Sequence, residues 1–205
     1  MPVIVVANPK GGVGKSTLSS NIAGYFASQG HRVMLGDIDR QQSSRLWLSL
    51  RPPELAPIQG WDVSKDELAR PPKGTTHVVL DTPAGLHGKA LAAAMKIADK
   101  VLIPIQASVF DIYPAQAFVN QLLEHKRADH TQLAMVGNRV KDHTRAAEHL
   151  SQFLQTVGVP TLTMLRDTQN YAHLAAHGLS LWDVPATKVE KDLAQWAPLI
   201  AWLDA

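Results

Sequence analysis

The chain has no cysteine among its 205 residues. That excludes disulfide staples, thiolate metal sites and iron–sulfur ligation. A strong excess of either charge is also missing: 20 Lys and Arg stand against 18 Asp and Glu, a formal net charge of +2. So small a bias does not argue for nucleic-acid binding by itself, and does not oppose it. No apolar run approaches the roughly 20 residues that a membrane-crossing helix requires. The N-terminus enters an apolar segment at Val3 with no basic stretch or cleavable leader ahead of it. Internal repeats and low-complexity tails are lacking too. With 45% hydrophobic residues the chain can bury one sizeable core, so a single cytoplasmic domain over residues 1–205 is expected.

What remains is an alternation of short apolar runs with longer amphipathic segments, the pattern of βαβ units and a mostly parallel sheet with helices on both faces. Strands are expected at Val3–Ala7, Arg32–Asp37, His77–Asp81, Val101–Ile105, Leu133–Asn138 and Thr161–Leu165. Several are β-branched runs without polar alternation, as strands covered on both faces should be. Helices are expected at Lys15–Gln29, Ser43–Leu50, Lys89–Ala98, Pro114–Lys126, Thr144–Val157 and Lys188–Leu203, with Pro114 in a first helical turn. A Pro-rich stretch from Arg51 to Pro57 and the run Pro71-Pro72-Lys73-Gly74 bracket an irregular excursion.

Directly behind the first apolar run lies Lys10-Gly11-Gly12-Val13-Gly14-Lys15-Ser16-Thr17. A strand that delivers a glycine-rich turn onto a helix start can gather backbone N–H groups around a phosphate, with the helix N-terminus behind them. Lys15 is placed to reach the β- and γ-phosphates and the Ser16 hydroxyl to ligate Mg²⁺. The usual pattern G-x-x-x-x-G-K-[ST] calls for glycine at position 9, where this chain has Pro9. It has instead a second lysine, Lys10.

Two further loops follow strand ends, where an open α/β sheet places its ligands. Asp37-Ile38-Asp39-Arg40-Gln41-Gln42-Ser43-Ser44 follows the second strand, and Asp81-Thr82-Pro83-Ala84-Gly85 follows the apolar run Val78-Val79-Leu80. An acid closing such a run suits Mg²⁺, although alone it could be turn chemistry. Asp37 also lies about 20 residues beyond Gly12-Val13-Gly14, as in a dinucleotide fingerprint. That reading fails, because its third glycine falls on Thr17 and it leaves Lys15 and Ser16 without a role.

Together these segments resemble the deviant Walker A, Walker A′ and Walker B motifs of the ParA/MinD family of P-loop ATPases. The likeness extends to Ala98-Asp99, the strand Val101–Ile105 and Asn138-Arg139. It implies ATP and Mg²⁺ as cofactors, with residues 11 to 17 and Asn138 (the adenine contact) binding nucleotide. Ser16, Asp37 and Asp81 would serve the metal, and Lys10, Lys15 and Asp39 the catalysis. It also implies that Lys10 reaches across an ATP-bound homodimer to the partner's phosphates, much as an arginine finger does. Asp39 would position the attacking water. The family commonly has proline where this chain has Arg40, which bears on the geometry of that loop.

Within the family, the branch that ligates an iron–sulfur cluster needs cysteines and is excluded. Operator-binding partition proteins carry an N-terminal helix-turn-helix domain, whereas this chain starts at the first strand. Membrane-bound relatives end in a basic amphipathic helix. Here the segment 188–203 has an apolar stripe through Val189, Leu193, Trp196, Leu199, Ile200 and Leu203, with Glu190, Asp192, Gln195 and Asp204 opposite, so docking on the core is expected. The resemblance therefore points to a small stand-alone ParA type: nucleoid-associated, binding DNA without sequence preference, and stimulated by a cargo or adaptor protein. Arg139, Lys141, Arg145 and Arg166 are the candidate DNA contacts. The rival reading is a small-molecule synthetase of the cobyrinic acid or dethiobiotin type, which shares the fold and P-loop but needs a substrate pocket.

Overall fold

The computed structural model describes residues 1–63 and 71–205. The expectation of an irregular excursion falls partly on residues 64–70, which lie outside the described residues. Strands β1 (Val3–Val6), β2 (Val33–Asp37), β3 (Ile58–Trp61), β4 (His77–Asp81), β5 (Lys100–Gln106), β6 (Gln132–Val140) and β7 (Thr161–Arg166) form one sheet in the order β3-β2-β4-β1-β5-β6-β7. Every pairing is parallel.

The alternation of side chains along each strand divides the core in two. Val3, Val5 and Ala7 point to one face, where they pack with helices α3 (Gly88–Ile97), α4 (Val109–Leu123) and α5 (Arg145–Thr156). Ile4 and Val6 point to the other, against α1 (Lys15–Ser28), α2 (Ser43–Leu50), α6 (Gln169–Ala175) and α7 (Ala186–Asp204). Because β1 lies between β4 and β5, the loop leaving it has the ends of β4 and β5 on either side. That crevice at the carboxyl ends of the strands is where ligands of open parallel sheets bind.

The structure departs from the sequence expectations in several places. Strand β3 pairs with β2 from Val33↔Ile58 to Gly36↔Trp61, inside a segment expected to be irregular. Its Pro-rich flank hides a four-residue edge strand whose ends, Ile58 and Trp61, are buried. Helix α4 begins at Val109, capped by the Ser108 hydroxyl accepting from the Phe110 N–H, so Pro114 sits inside the helix and not in its first turn. Helix α6 went unrecognised because it is only seven residues long.

The last helix docks on the core as expected, with Val189, Trp196, Leu199 and Leu203 buried. Its polar side is a different matter. Asp192 is completely buried and accepts from Arg166 Nε at 2.6 Å and Asn170 Nδ2 at 2.6 Å. Gln195 Oε1 accepts from the Arg166 N–H, and Asp204 accepts from the Tyr25 hydroxyl at 2.6 Å. At its end, Lys100 Nζ donates to the carbonyls of Trp202 and Leu203, placing a cation at the negative pole of the helix. Among the described residues no helix is long and apolar enough to cross a membrane.

The opposite rim of the sheet holds a pH-sensitive cluster. His77 stacks on Phe26 with ring centroids 4.2 Å apart and faces His31 at 4.0 Å, with the N-terminal amine and Asp204 nearby. Burial, then the charges of His31 and the N-terminal amine, push its pKa down to about 4. A group with a folded pKa below its unfolded value leaves the unfolded chain holding more protons between the two, so stability falls as pH drops from about 6.5 to about 4. Buried acids with raised pKa, Asp81 above all, work the other way over the same window, so the contribution of His77 is read by comparing urea midpoints of the wild type with those of a variant lacking it. As pH drops from about 6.5 to about 4 the wild type should lose stability relative to His77→Phe, and parallel pH profiles would show that His77 does not contribute.

Candidate functional site

The glycine-rich loop between β1 and α1 owes its shape to side chains behind it. Besides Gly14, whose carbonyl accepts the first helical bond from the Leu18 N–H, four of its carbonyls accept hydrogen bonds: Pro9 from the Gly85 N–H at 2.8 Å, Lys10 from Lys15 Nζ at 2.7 Å, Gly12 from Gln106 Nε2 at 2.9 Å and Val13 from Asn138 Nδ2 at 2.7 Å. Asn8 ties the base of the loop down, accepting from the Lys10 N–H at 2.8 Å and donating to the Pro104 carbonyl at 2.7 Å. Gly12 and Gly14 have φ of 77° and 93°, a left-handed region that residues with a Cβ rarely adopt. A Cβ on Gly14 would also overlap the Asn138 amide. With its carbonyls engaged in this way, the turn and the N-terminus of α1 offer their N–H groups to an anion.

Lys15, Asp39 and Arg40 meet Gly11, Gly12 and Trp47 around a cleft of about 770 Å³. Lys15 is 7% exposed, and burial lowers its pKa against the opposing pull of Asp81 and Asp39. Asp81 is fully buried. Burial raises its pKa to about 6, with hydrogen bonding from Ser16 and Ser44 and the charge of Lys15 working the other way and Asp37 adding to it. Asp81 Oδ2 accepts from the Ser44 hydroxyl at 2.7 Å, while Oδ1 has no hydrogen-bond partner of normal geometry. A buried carboxylate oxygen without a donor is costly unless a cation or proton serves it. A carboxylate beside a P-loop serine and lysine is the donor set expected for Mg²⁺, so the residues present fit that ion.

The two acids after β2 divide into separate tasks. Asp37 accepts from the N–H groups of Asp39 (2.9 Å), Ser44 (2.9 Å) and Arg45 (3.2 Å). It thereby caps α2 from six residues upstream of the first helical position, because Gln42, at the cap position itself, supplies no side-chain bond. Burial nevertheless leaves its pKa raised, with these three N–H bonds opposing and the Asp39 charge adding. Asp39 lies partly open at the cleft, and among the described residues its carboxylate accepts only locally, from the Gln41 N–H at 3.0 Å.

Lys10 is half-buried beside the loop, and its charge is felt by Asp111 in the first turn of α4. Asn138 stands within β6, which runs on to Val140, and in this structure its amide serves the loop carbonyl of Val13. Of the expected basic contacts, Arg139 and Lys141 lie 3.6 and 3.8 Å from Asp167 with side chains 61% and 74% exposed, and Arg145 is exposed at the start of α5. Arg166 is engaged by the buried Asp192, so its guanidinium does not lie free beside them. Asn8 and Gln106 have no distinguishing pattern in the sequence, and Ser44, although part of the loop after the second strand, has no role there that sequence alone assigns.

This geometry can be set beside known proteins. The model of the CobQ/CobB/MinD/ParA nucleotide binding domain matches residues 4–181. Maintenance of carboxysome distribution protein A of Halothiobacillus neapolitanus is 28% identical over 193 residues, spanning 89% of this chain and 88% of that one. The protein of the same name from Gloeobacter kilaueensis is 35% identical over 116 residues, 54% of this chain but only 51% of that relative. Among solved structures, the cell division ATPase MinD of Pyrococcus furiosus superposes with a TM-score of 0.75 at 16% identity, covering 98% of this chain and 99% of its own. The chain thus belongs to the CobQ/CobB/MinD/ParA nucleotide-binding domain family, as a member of the ParA/MinD type.

Proposed function

We propose that this protein is an ATP-driven positioning or partitioning factor: it binds ATP with Mg²⁺, pairs with a second copy, holds DNA without sequence preference and lets go on hydrolysis. The observation that carries this reading is the second lysine, Lys10, entering a loop whose own phosphate lysine is Lys15, with Asp39 across the same cleft. A monomeric nucleotide site has no evident use for Lys10. The full-length likeness to a carboxysome distribution protein supports the same class over a small-molecule synthetase.

The chemistry follows from these residues. The N–H groups of Gly11 to Thr17 and the Lys15 ammonium would hold the phosphates, and Ser16 and Asp81 would hold Mg²⁺. That ion, when bound, neutralises charge on the phosphoryl oxygens. Asp39 would orient the attacking water, which depends on position more than on proton affinity. Asp37 keeps that loop in place by capping α2. Lys10 of each copy would complete the other's site, so hydrolysis would wait on pairing. Phe110 and Tyr113, 81% and 74% exposed on α4 beside the loop, supply apolar surface that a second copy would cover. A cargo or adaptor protein that speeds hydrolysis would then reset the cycle.

For DNA, the cluster Arg139, Lys141 and Arg145 is the preferred surface, with Arg166 set aside because Asp192 holds it. Arg139 and His143 in this segment have φ of 53° and 60°, strain that such residues adopt only where the surrounding structure imposes it. If both copies contribute three cations, about six phosphates are contacted, and affinity for arbitrary duplex should fall about a thousandfold between 50 and 200 mM salt. A mobility-shift titration with ATP, Mg²⁺ and a random duplex tests this. Retardation that needs ATP and weakens steeply with salt is expected. Salt-independent binding, or none by a proven ATP dimer, would refute the DNA part of the reading.

A further inference from the structure

Ser44 is the second residue of α2, completely buried, and its two donors serve two different acids. Its N–H donates to Asp37 Oδ2 at 2.9 Å and its hydroxyl to Asp81 Oδ2 at 2.7 Å. The register explains why one residue reaches both. Asp37 and Asp81 are partners across β2 and β4, and Asp81 is in turn the partner of Val6, the last residue of β1 before the glycine-rich loop. The two carboxylates therefore sit one strand apart at the mouth of the crevice, with Ser44 between them. Asp81 is left divided, one oxygen taken by Ser44 and the other buried with no donor in normal hydrogen-bond geometry, the Ser16 hydroxyl lying close by. A carboxylate with neither oxygen held could turn about its Cβ–Cγ bond, whereas one held oxygen fixes the direction of the other.

We propose that Ser44 is a positioning residue for the metal: it holds Oδ2 of Asp81 so that Oδ1 is presented toward the glycine-rich loop, and it links that oxygen to the Asp37–Asp39 segment and helix α2. This rests on reading the cleft as a Mg²⁺–nucleotide site. The alternative role, a hydroxyl that merely satisfies a buried acid, predicts a general loss of stability without any metal dependence.

The two are separated by ADP affinity, measured calorimetrically in excess Mg²⁺ and in EDTA. In Ser44→Ala the affinity in Mg²⁺ should drop about tenfold, the scale of one hydrogen bond to a charged group, while the affinity in EDTA stays within about twofold. Ser44→Cys keeps the shape with a weaker donor and should fall between wild type and Ser44→Ala, which covers the case of an alanine variant that folds poorly. In an Asp81→Asn background, Ser44→Ala should add little further loss. Equal losses in Mg²⁺ and EDTA, or no loss in either, would overturn the role of Ser44. A wild type whose ADP affinity ignores Mg²⁺ would overturn the reading of the cleft itself, and this proposal with it.

Discussion

Lys15→Ala should lose ATP and ADP affinity by roughly two to three orders of magnitude while remaining folded. Lys15 is 7% exposed, and burial lowers its pKa with the fields of Asp81 and Asp39 offsetting only part of that. Its ammonium lies inside the loop on the Lys10 carbonyl. Removing one partner from a buried charged pair costs about 3–5 kcal/mol, which sets the scale of the expected loss. Titration calorimetry of the variant against both nucleotides, with circular dichroism as a folding check, measures it. An affinity within tenfold of the wild type would mean that the phosphates are held elsewhere.

Lys10→Ala should do something different: keep ADP affinity within about twofold, yet lose the ATP-dependent dimer and at least roughly a thousandfold of the hydrolysis rate. The magnitude is that of a cation supplied in trans to a transferring phosphoryl group. The structural grounds are its half-exposed place beside the loop and the absence of any hydrogen bond from its ammonium to the described residues. Its backbone, by contrast, is fixed by the Asn8 carboxamide, which the substitution leaves intact. Light scattering after size exclusion reports the dimer and phosphate release reports turnover. Normal turnover by Lys10→Ala would remove the trans role and with it the main argument for a paired site. The two lysines, five residues apart, are thus expected to separate binding from hydrolysis.

Much of the sheet was legible because its signals are local. β-branched runs with no polar alternation mark strands covered on both faces, and a glycine-rich turn between such a run and a helix marks an anion site. Both depend on residues within one turn or strand of each other. Strand β3 escaped because it is four residues long beside prolines, and only pairing with β2 makes it a strand. Helix α7 was read correctly as docked, yet Asp192 was placed on its solvent side when it is wholly buried. Helical periodicity assigns a face by hydrophobicity, and a buried acid is invisible to it when its partners, Arg166 and Asn170, come from 26 and 22 residues away.

The same division runs through the site. Spacing alone pointed to residues 10 to 17 as a glycine-rich turn suited to phosphate, to Lys10 as an extra cation, and to Asp37 and Asp81 as acids at strand ends with Asp39 just beyond. These are properties of chain order, because a βαβ fold brings strand ends to one edge whatever the loops do. Which acid does what was decided only by the tertiary structure. The sheet register sets Asp37 opposite Asp81, α2 brings Ser44 between them, and Gln106 and Asn138 turn the loop's carbonyls aside. Asp37 thereby becomes a cap, Asp81 keeps one buried oxygen without a well-aligned donor, and Asp39 stays at the cleft, since a carboxylate's role depends on which donors reach it, and those donors come from distant parts of the chain.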